Sequence, residues 1–392
     1  MSKNNWSFKH IDFSFQEKIN ISKFVFKNKM FDSTDYVEKF EKEFSEYTGA
    51  KYTLLVNSIS SAKYLLFASL KEFAGLKDDD KVLVPVNGWS SNINAVIQNK
   101  LRPVFADVTI QNLCIAEKDL VAIRNNFPDI KVIFTGHTLG FLSDTRSLKE
   151  AFQYSLIIED CCDAMGLKDK HKLHVGSDCL GSVFNLQNSP LFPNNMGAVI
   201  CTNSYDLFSL MKMKRYLGLA KNSDKNSFQM LTNMFSNVNP EILSISDGYD
   251  FRSTNINAFL ASIQLKNIDK NLSILNNNYQ EFHKIIKDYD NVFYLTEKDN
   301  VSNSYGLPLI FRDKKTYVPL LKMLKDHNIE YKTLIYGNLL NQPYLSHYKL
   351  DYFKPIQKIP TLDDLGVTLP NNQKLHNNDF ELLRSLIKEM MS

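Results

Sequence analysis

The residues best suited to chemistry are the acids that follow a short apolar run, in Ser155-Leu-Ile-Ile-Glu-Asp-Cys-Cys-Asp-Ala-Met-Gly166. The run Leu156–Ile158 is typical of a strand that is buried on both faces of a parallel sheet. Asp160 would then lie at the carboxyl end of a central strand, where open α/β sheets bind ligands. A solvated strand end is the alternative explanation, and the rest of the chain has to decide between the two.

The elements that would position Asp160 alternate along the first half of the chain. Predicted strands are Lys51–Val56, Lys81–Val86, Arg102–Ala106, Lys131–Thr135 and the run that ends at Asp160. Predicted helices are residues 36–47 (capped by Ser33 or Thr34 and ended by Gly49), Ser60–Phe73, Ser90–Gln98, Glu117–Asn125 and Ser147–Phe152. Short connections between alternating elements predict a parallel sheet with helices on both faces.

The second half has a looser pattern, and we predict a domain boundary near residue 255. Residues 1–255 would form an irregular arm (1–33) and a large domain, and residues 256–392 a smaller α+β domain. Strands Ser182–Phe184 and Ala198–Thr202 would flank a loop, and the polar stretch Asn222–Asn239 would lie on the surface. Predicted later elements are a helix from Asn255, strands Leu307–Phe311 and Glu330–Ile335, and helices Tyr317–Asp326 and Asp379–Met390.

Composition excludes several classes of function. The 392 residues carry a formal charge of +3, and the basic residues do not gather into a stripe, so we expect no nucleic-acid partner. The sequence has no apolar signal core and no window that could span a bilayer, which favours a cytoplasmic protein without a membrane partner. Its five cysteines lack zinc-type spacing, so we expect reduced thiols and no metal site.

Several segments together carry a family resemblance. They are Phe40–Gly49 with Lys51-Tyr52, Val84-Pro85 with Trp89, Pro103–Asp107, Gly136–Gly140, Glu159-Asp160, Gly248–Arg252 and Gln264-Leu265. In this order and spacing, from Tyr36 to Lys388, the chain resembles the DegT-type sugar aminotransferases and their dehydratase relatives. The resemblance implies the aspartate-aminotransferase architecture, which is the fold type I of enzymes that use pyridoxal 5′-phosphate (PLP).

Three segments resemble one branch of that family more closely, the nucleotide-sugar 3-dehydratases that act on 4-keto-6-deoxyhexoses. They are Gly88–Asn99, Glu159–Gly166 and Tyr336–Pro343. The resemblance implies a nucleotide-activated sugar as ligand and a homodimer that shares its active sites between subunits. One member type holds an iron–sulphur cluster on four cysteines. The cysteine spacing here differs, so we predict no cluster.

The resemblance also implies roles for individual residues in PLP chemistry. Asp160 would pair with the pyridine nitrogen and keep it protonated, which makes the ring an electron sink. Trp89 would stack on the ring, unless it is a core tryptophan. His137 would line the site near the ring, unless it is a satisfied structural histidine. Asp163 would complete the ring end of the site. The residues expected to face the substrate are Arg252, Asn338 and Lys332, the last in place of a more usual arginine.

The chain departs from the family at the catalytic position. The lysine that forms the Schiff base aligns on Ser189, where the dehydratases place a histidine that acts as base. A serine forms no imine and, unaided, is a poor base near neutral pH. The loop from Asn185 to Met196 contains no lysine that could replace it.

The phosphate site departs as well. The turn Asn57-Ser58-Ile59-Ser60-Ser61-Ala62 would offer backbone N–H groups at a helix N-terminus, with Ile59 at a glycine position. We expect the β-branched side chain to resist a positive φ and to fill space near the anion. The serine from the following strand aligns on Phe184, and the partner subunit's asparagine aligns on Asp250. A carboxylate about 4 Å from a phosphate oxygen costs about 4 kcal/mol near a surface.

Three hypotheses stay open. The first is an enzyme that retains pyridoxal or pyridoxamine phosphate without an internal aldimine and performs a 3-dehydratase-like elimination, with Ser189 at the base position. The second is a sugar-modifying enzyme that has lost the coenzyme and uses His137, Asp160 and Asp163 as acid–base groups. The third is a non-catalytic relative that pairs with an active one. Ordinary transamination ranks below all three, because regenerating the coenzyme requires the missing lysine.

Overall fold

A computed structural model of the chain describes residues 6–8, 13–27, 35–187, 189–193, 195–297, 306–334, 337–354, 356 and 358–392. The predicted caps Ser33 and Thr34 lie outside this range, as do Ile335 and Tyr336 of the predicted C-terminal segments.

Eight strands form a large, mostly parallel sheet, as the sequence predicts. In chain order they are β1 Tyr52–Val56, β2 Lys81–Pro85, β3 Arg102–Ala106, β4 Ile130–Gly136, β5 Leu156–Asp160, β6 Gly181–Asn185, β7 Ala198–Thr202 and, much later, Asp351–Tyr352. Their spatial order is β1-β7-β6-β5-β4-β2-β3 followed by the late strand at the edge. Only β7 runs antiparallel to its neighbours among these strands. Asp160 therefore ends a central strand.

Three strands of the last third make a smaller antiparallel sheet. They are β8 Gly306–Ile310, β9 Lys332–Thr333 and, after the edge strand β10 Asp351–Tyr352, β11 Gly366–Pro370 in the centre. The predicted strand Glu330–Ile335 thus shortens to two residues in the described part of the chain. Because β10 joins the large sheet beside β3, the C-terminal part contributes to both sheets. The domain boundary near residue 255 stays a prediction.

Helices cover the sheets. Before residue 255 they are α1 Phe15–Lys27, α2 Asp35–Thr48, α3 Ile59–Phe73, α4 Ser90–Gln98, α5 Leu120–Asn126, α6 Thr145–Ala151, α7 Tyr205–Lys214 and α8 Lys225–Met234. After it they are α9 Asn255–Leu265, α10 Ile268–Asp288, α11 Lys314–Asp326, α12 Lys358–Leu365 and α13 Asn377–Met391. No described helix has both the length and the apolarity that crossing a membrane requires.

The N-terminal arm differs from the prediction of irregular structure, because it contains α1. Phe24, the one buried residue of this helix, stacks on Phe259 of α9 with ring centroids 4.6 Å apart and meets Tyr36 of α2 edge-on at 5.0 Å. Phe15 and Phe26 are exposed. The sequence pattern missed it because a helix with a single buried residue lacks an apolar stripe.

A buried ion pair ties α2 to the start of the sheet. Glu41 Oε1 accepts a hydrogen bond from Arg215 Nη1 at 2.6 Å and another from the backbone N–H of Leu55 at 2.8 Å. Arg215 Nη1 also donates to the carbonyl oxygen of Leu55 at 2.9 Å. The pair therefore clamps β1 between α2 and the end of α7, next to the turn that opens α3.

We expect Glu41→Ala to lower the free energy of unfolding by about 3 kcal/mol, because it leaves a buried guanidinium and the Leu55 N–H unpaired. Urea denaturation measures the change, and Glu38→Ala, an exposed acid on the same helix, should stay within about 0.5 kcal/mol of the parent. Equal losses in the two variants would contradict a specific role for the pair.

Candidate functional site

Three predicted site residues meet at one edge of the large sheet. Asp160 ends β5, His137 follows β4, and Trp89 follows β2 as the N-cap of α4. The strands are parallel, so their carboxyl ends lie side by side and bring these side chains together. The sequence argument for a site at this edge depended on that topology.

A cleft with two lobes opens at this edge. The histidine lobe, about 670 Å³ including space open to solvent, is lined by Asn87, His137, Leu139 and Asp160 among others. The serine lobe, about 1500 Å³ and open to solvent, is lined by Ile59, Ser60, Lys63 and Ser189 among others. The lobes share four lining residues, which are Trp89, Cys162, Asp163 and Lys332. Trp89 is 42% exposed and forms a wall of both lobes, which suits a residue that stacks on a ligand.

Asp160 already has a cationic partner within the chain. Lys63 of α3, 1% exposed, places Nζ 2.8 Å from Asp160 Oδ2. The same ammonium donates to Asn92 Oδ1, and it lies 3.4 Å from Ser91 Oγ. Burial alone would raise the pKa of Asp160, but the Lys63 charge and hydrogen bonds from Cys162 outweigh it and lower the pKa. For Lys63, burial is likewise outweighed by Asp160, and the pKa is raised. Both groups are therefore charged.

Sequence reasoning missed Lys63, although the chain carries a signal for it. Lys63 shares a face of α3 with the buried Leu66 and Leu70, which follow it at helical spacing. A lysine on an apolar face is almost never fully buried without a partner. Such a position calls for a carboxylate nearby, and Asp160 was the candidate at the facing strand end.

His137 is held by hydrogen bonds at both ring nitrogens. Nδ1 accepts from the backbone N–H of Ser143 at 3.1 Å, so Nε2 carries the proton and donates to Glu159 Oε2 at 3.1 Å. Glu159 Oε2 also accepts from the backbone N–H of Gly176 at 2.9 Å. His137 therefore orients the strand ends β4 and β5. It cannot exchange a proton with a ligand without giving up one of these bonds.

Asp163 lies where the two lobes join. Its Oδ2 accepts from the backbone N–H of Leu139 at 3.0 Å, in a tight turn where Leu139 adopts a φ of 54°. Burial, together with the neighbouring Asp160 charge, raises the pKa of Asp163 to about 6, against the opposing effects of the Leu139 N–H and Lys63. A carboxyl group with such a pKa exists in both protonation states near neutral pH, which is what acid–base catalysis requires.

Ser189 lines the serine lobe and is 7% exposed. Its Oγ accepts from the backbone N–H of Leu191 at 3.2 Å, which leaves the hydroxyl proton for donation to a ligand. The two cleft lysines, Lys63 and Lys332, come from α3 and β9, outside the loop that holds Ser189.

The predicted phosphate turn opens α3, but Ile59 needs no positive φ. Ile59 is the first residue of the helix, and Ser58 is its N-cap, whose Oγ accepts from Ser61 N–H. Ile59 has no positive φ, so its β-branched side chain meets no conflict with the backbone there, and it lines the serine lobe together with Ser60. Phe184 lies outside the lining, buried against Phe44 with ring centroids 5.3 Å apart.

The predicted substrate residues divide into two groups. Lys332 lines both lobes, with Nζ 4.2 Å from the centre of the Phe8 ring. The backbone of Asn338 pairs with that of Asn87, which lines the cleft, and the Asn338 side chain caps the turn that begins at Leu339. Asn338 itself is not part of the cleft lining. Arg252 and Asp250 form a bidentate pair at 2.8 and 2.9 Å on the exposed surface, with Arg252 stacked over Tyr216. They lie outside both lobes of their own chain.

Comparison with known proteins shows which family and which relatives the chain resembles. A sequence model described as the DegT/DnrJ/EryC1/StrS aminotransferase family matches residues 15–383. The GDP-4-keto-6-deoxy-D-mannose 3-dehydratase of Escherichia coli O55:H7 is 24% identical over 374 residues, 93% of this chain and 95% of the relative. The GDP-perosamine synthase of Escherichia coli O157:H7 is also 24% identical, over 93% of this chain and 94% of its own.

A solved structure gives the fold. The crystal structure of GDP-4-keto-6-deoxymannose-3-dehydratase with a trapped PLP-glutamate geminal diamine superposes with a TM-score of 0.88 at 22% identity, covering 98% of this chain and 100% of the other. The predicted PLP fold type I is therefore confirmed. The structure of this relative carries PLP.

The residues of this chain do not fit that coenzyme in the expected way. The carboxylate that would pair with a pyridinium nitrogen is neutralised by Lys63. Lys63 cannot serve as a Schiff-base lysine, because the carbon that forms the imine lies at the opposite end of the ring from that nitrogen. Ile59 and Ser189 both line the serine lobe. The reaction that this site can support therefore depends on its side chains.

We expect His137→Ala to lower the free energy of unfolding by about 2–4 kcal/mol, because the Glu159 carboxylate loses its ring donor and the Ser143 N–H loses its acceptor. Thermal or urea denaturation measures the loss, and His171→Ala, at an exposed position, is the matched control. Unchanged stability with lost activity would instead assign His137 a chemical role.

Proposed function

The chain belongs to the DegT/DnrJ/EryC1/StrS aminotransferase family, and from that premise we propose that it modifies a nucleotide-linked keto-sugar by proton transfer next to the keto group. The observation that carries the proposal is Asp163, a carboxyl group with a pKa of about 6 at the junction of the two lobes. The other acid–base candidates are engaged, since His137 uses both nitrogens and Asp160 is paired with Lys63.

The nucleotide-sugar part of the proposal is supported by the relatives and by the wall of the cleft. The two curated relatives act on or make GDP-linked sugars, as their names state. Five amide residues line the serine lobe, and Gln373 Oε1, buried without a partner among the described residues, can accept from a sugar hydroxyl or a nucleobase. These amides belong to Asn185, Gln187, Asn371, Asn372 and Gln373.

The reaction that these side chains support on their own is reversible enolisation. The Asp163 carboxylate takes the proton from a carbon beside the ketone, the C–H electron pair becomes a C=C bond, and the carbonyl oxygen takes up the negative charge. The Lys332 ammonium, which lines both lobes, can neutralise that oxygen. Return of the proton to the same carbon from the other face gives an epimer. A ketone isomer forms when the proton of the neighbouring hydroxyl moves to the former carbonyl oxygen and the former carbonyl carbon is then protonated. No oxidant or reductant is needed.

This chemistry corresponds to the second of the three sequence-based hypotheses. Elimination of the 3-hydroxyl, which the resemblance favours, removes a leaving group from the carbon next to the ketone. Simple enolisation at that carbon does not expel the hydroxyl, so a 3-dehydratase would need an electron sink that the side chains do not supply. The lyase expectation is therefore replaced here by an isomerase-type proposal.

A matched pair of variants tests the function. We expect the full-length protein, without added coenzyme, to exchange the hydrogens beside the ketone of GDP-4-keto-6-deoxy-D-mannose for deuterium in D₂O, followed by NMR. Asp163→Asn should reduce the exchange rate at least a hundredfold, since general acid–base groups contribute about 10²–10⁴. Asp178→Asn, which changes an exposed aspartate, should leave the rate unchanged.

The rate should also depend on pH. Because the carboxylate is the active form, exchange should be slow below pH 6 and rise with a midpoint near 6. Burial of Asp163 and the Asp160 charge raise this midpoint, whereas the Leu139 N–H and the Lys63 charge lower it. Binding without exchange would favour the non-catalytic hypothesis, and exchange only after adding PLP would favour the coenzyme-retaining one. Either result would overturn the proposal.

We also propose a homodimer, in which the exposed Asp250–Arg252 pair of one subunit faces the cleft of the other. The support is that this pair lies outside the lobes of its own chain, while the resemblance puts Asp250 at the position of the partner subunit's asparagine and Arg252 facing the substrate. Analytical ultracentrifugation should give twice the 45.2 kDa mass of the chain. A monomer at micromolar concentration would contradict it.

A further inference from the structure

The Lys63–Asp160 pair is complete without any ligand. The three N–H bonds of the Lys63 ammonium have three oxygen partners, on Asp160, Asn92 and Ser91. The Asp160 carboxylate accepts from Lys63 at one oxygen and from the backbone N–H of Cys162, at 3.2 Å, at the other. Neither charge depends on solvent or on a bound molecule for its compensation.

The two members of the pair face different lobes. Asp160 lines the histidine lobe and Lys63 lines the serine lobe, with Trp89 as a wall of both. A flat ring stacked against Trp89 would need a cation of its own to pair with Asp160. The Lys63 ammonium already occupies that position. A protonated ring nitrogen could reach the carboxylate only by displacing the ammonium and leaving it buried and unpaired, which is strongly unfavourable.

We propose that Lys63 is the specificity-determining residue that excludes pyridoxal-type coenzymes from this cleft, by supplying from the protein the cation that their ring nitrogen would supply. Lys63 is then the counter-ion of Asp160, in the place that the ring nitrogen of a coenzyme would take. The inference goes beyond the proposed sugar chemistry, because a nucleotide sugar can bind and react whether or not a coenzyme is excluded.

Pyridoxamine 5′-phosphate is the appropriate probe. It has the pyridinium nitrogen and the phosphate but no aldehyde, so it cannot form imines with surface lysines, and its ring fluoresces. We expect the parent protein to show no saturable binding up to millimolar concentration. Saturable, micromolar binding by the parent would overturn the proposal directly, without any variant.

Substitution of Lys63 should allow pyridoxamine 5′-phosphate to bind. Lys63→Met shortens the side chain by one atom and removes the charge, so Asp160 lacks a cation, and we expect pyridoxamine 5′-phosphate to bind at least a hundredfold more tightly than to the parent. Lys63→Arg keeps the charge and should still exclude it. Lys71→Met, the same change in the last turn of the same helix, should behave as the parent.

The double variant Lys63→Met/Asp160→Asn separates the ion pair from simple enlargement of the cleft. The added space is the same, but the anion is gone, so the gain in affinity should disappear. This variant buries no unpaired charge, so it should fold even where Lys63→Met alone is poorly stable. Tight binding by the double variant, or none by a folded Lys63→Met, would overturn the proposal. Sugar binding and hydrogen exchange are measured separately and report on the proposed function.

Discussion

The buried ion pair between Lys63 and Asp160 is the constraint on which the rest of the site depends. A carboxylate at a buried strand end needs a cation within hydrogen-bonding distance, since an unpaired charge there would cost several kcal/mol. In this chain the cation comes from α3, and the pair joins that helix to the central strand β5. Asn92 extends the link to α4, which carries Trp89 at its N-cap.

A second layer of polar contacts fixes the orientation of the first. Glu159, next to Asp160 on β5, points to the other face of the strand and holds His137 and the Gly176 turn. The turn after His137 then presents the Leu139 N–H to Asp163. Glu159, Asp160 and Asp163 therefore have different partners and different roles. Of these three acids, only Asp163 titrates at the junction of the lobes.

Much of this arrangement could be predicted from local sequence, and the decisive contact could not. Alternating apolar runs gave the central strands within a residue or two, and the edge at which Asp160, His137 and Trp89 meet follows from parallel topology alone. The partner of Asp160 lies 97 positions earlier in the chain, so no local pattern joins the two. A lysine on the apolar face of α3 was the available signal, because burial at that position demands a counter-ion.

The source of the cation that pairs with Asp160 also decides whether the folded protein needs a ligand to compensate this charge. In a site where a coenzyme neutralises the buried carboxylate, the empty protein carries an uncompensated charge, and ligand binding stabilises the folded state. Here the ammonium is attached to α3, so the folded chain is electrostatically complete before any ligand arrives. Compensation of the Asp160 charge therefore does not depend on any ligand in the cleft.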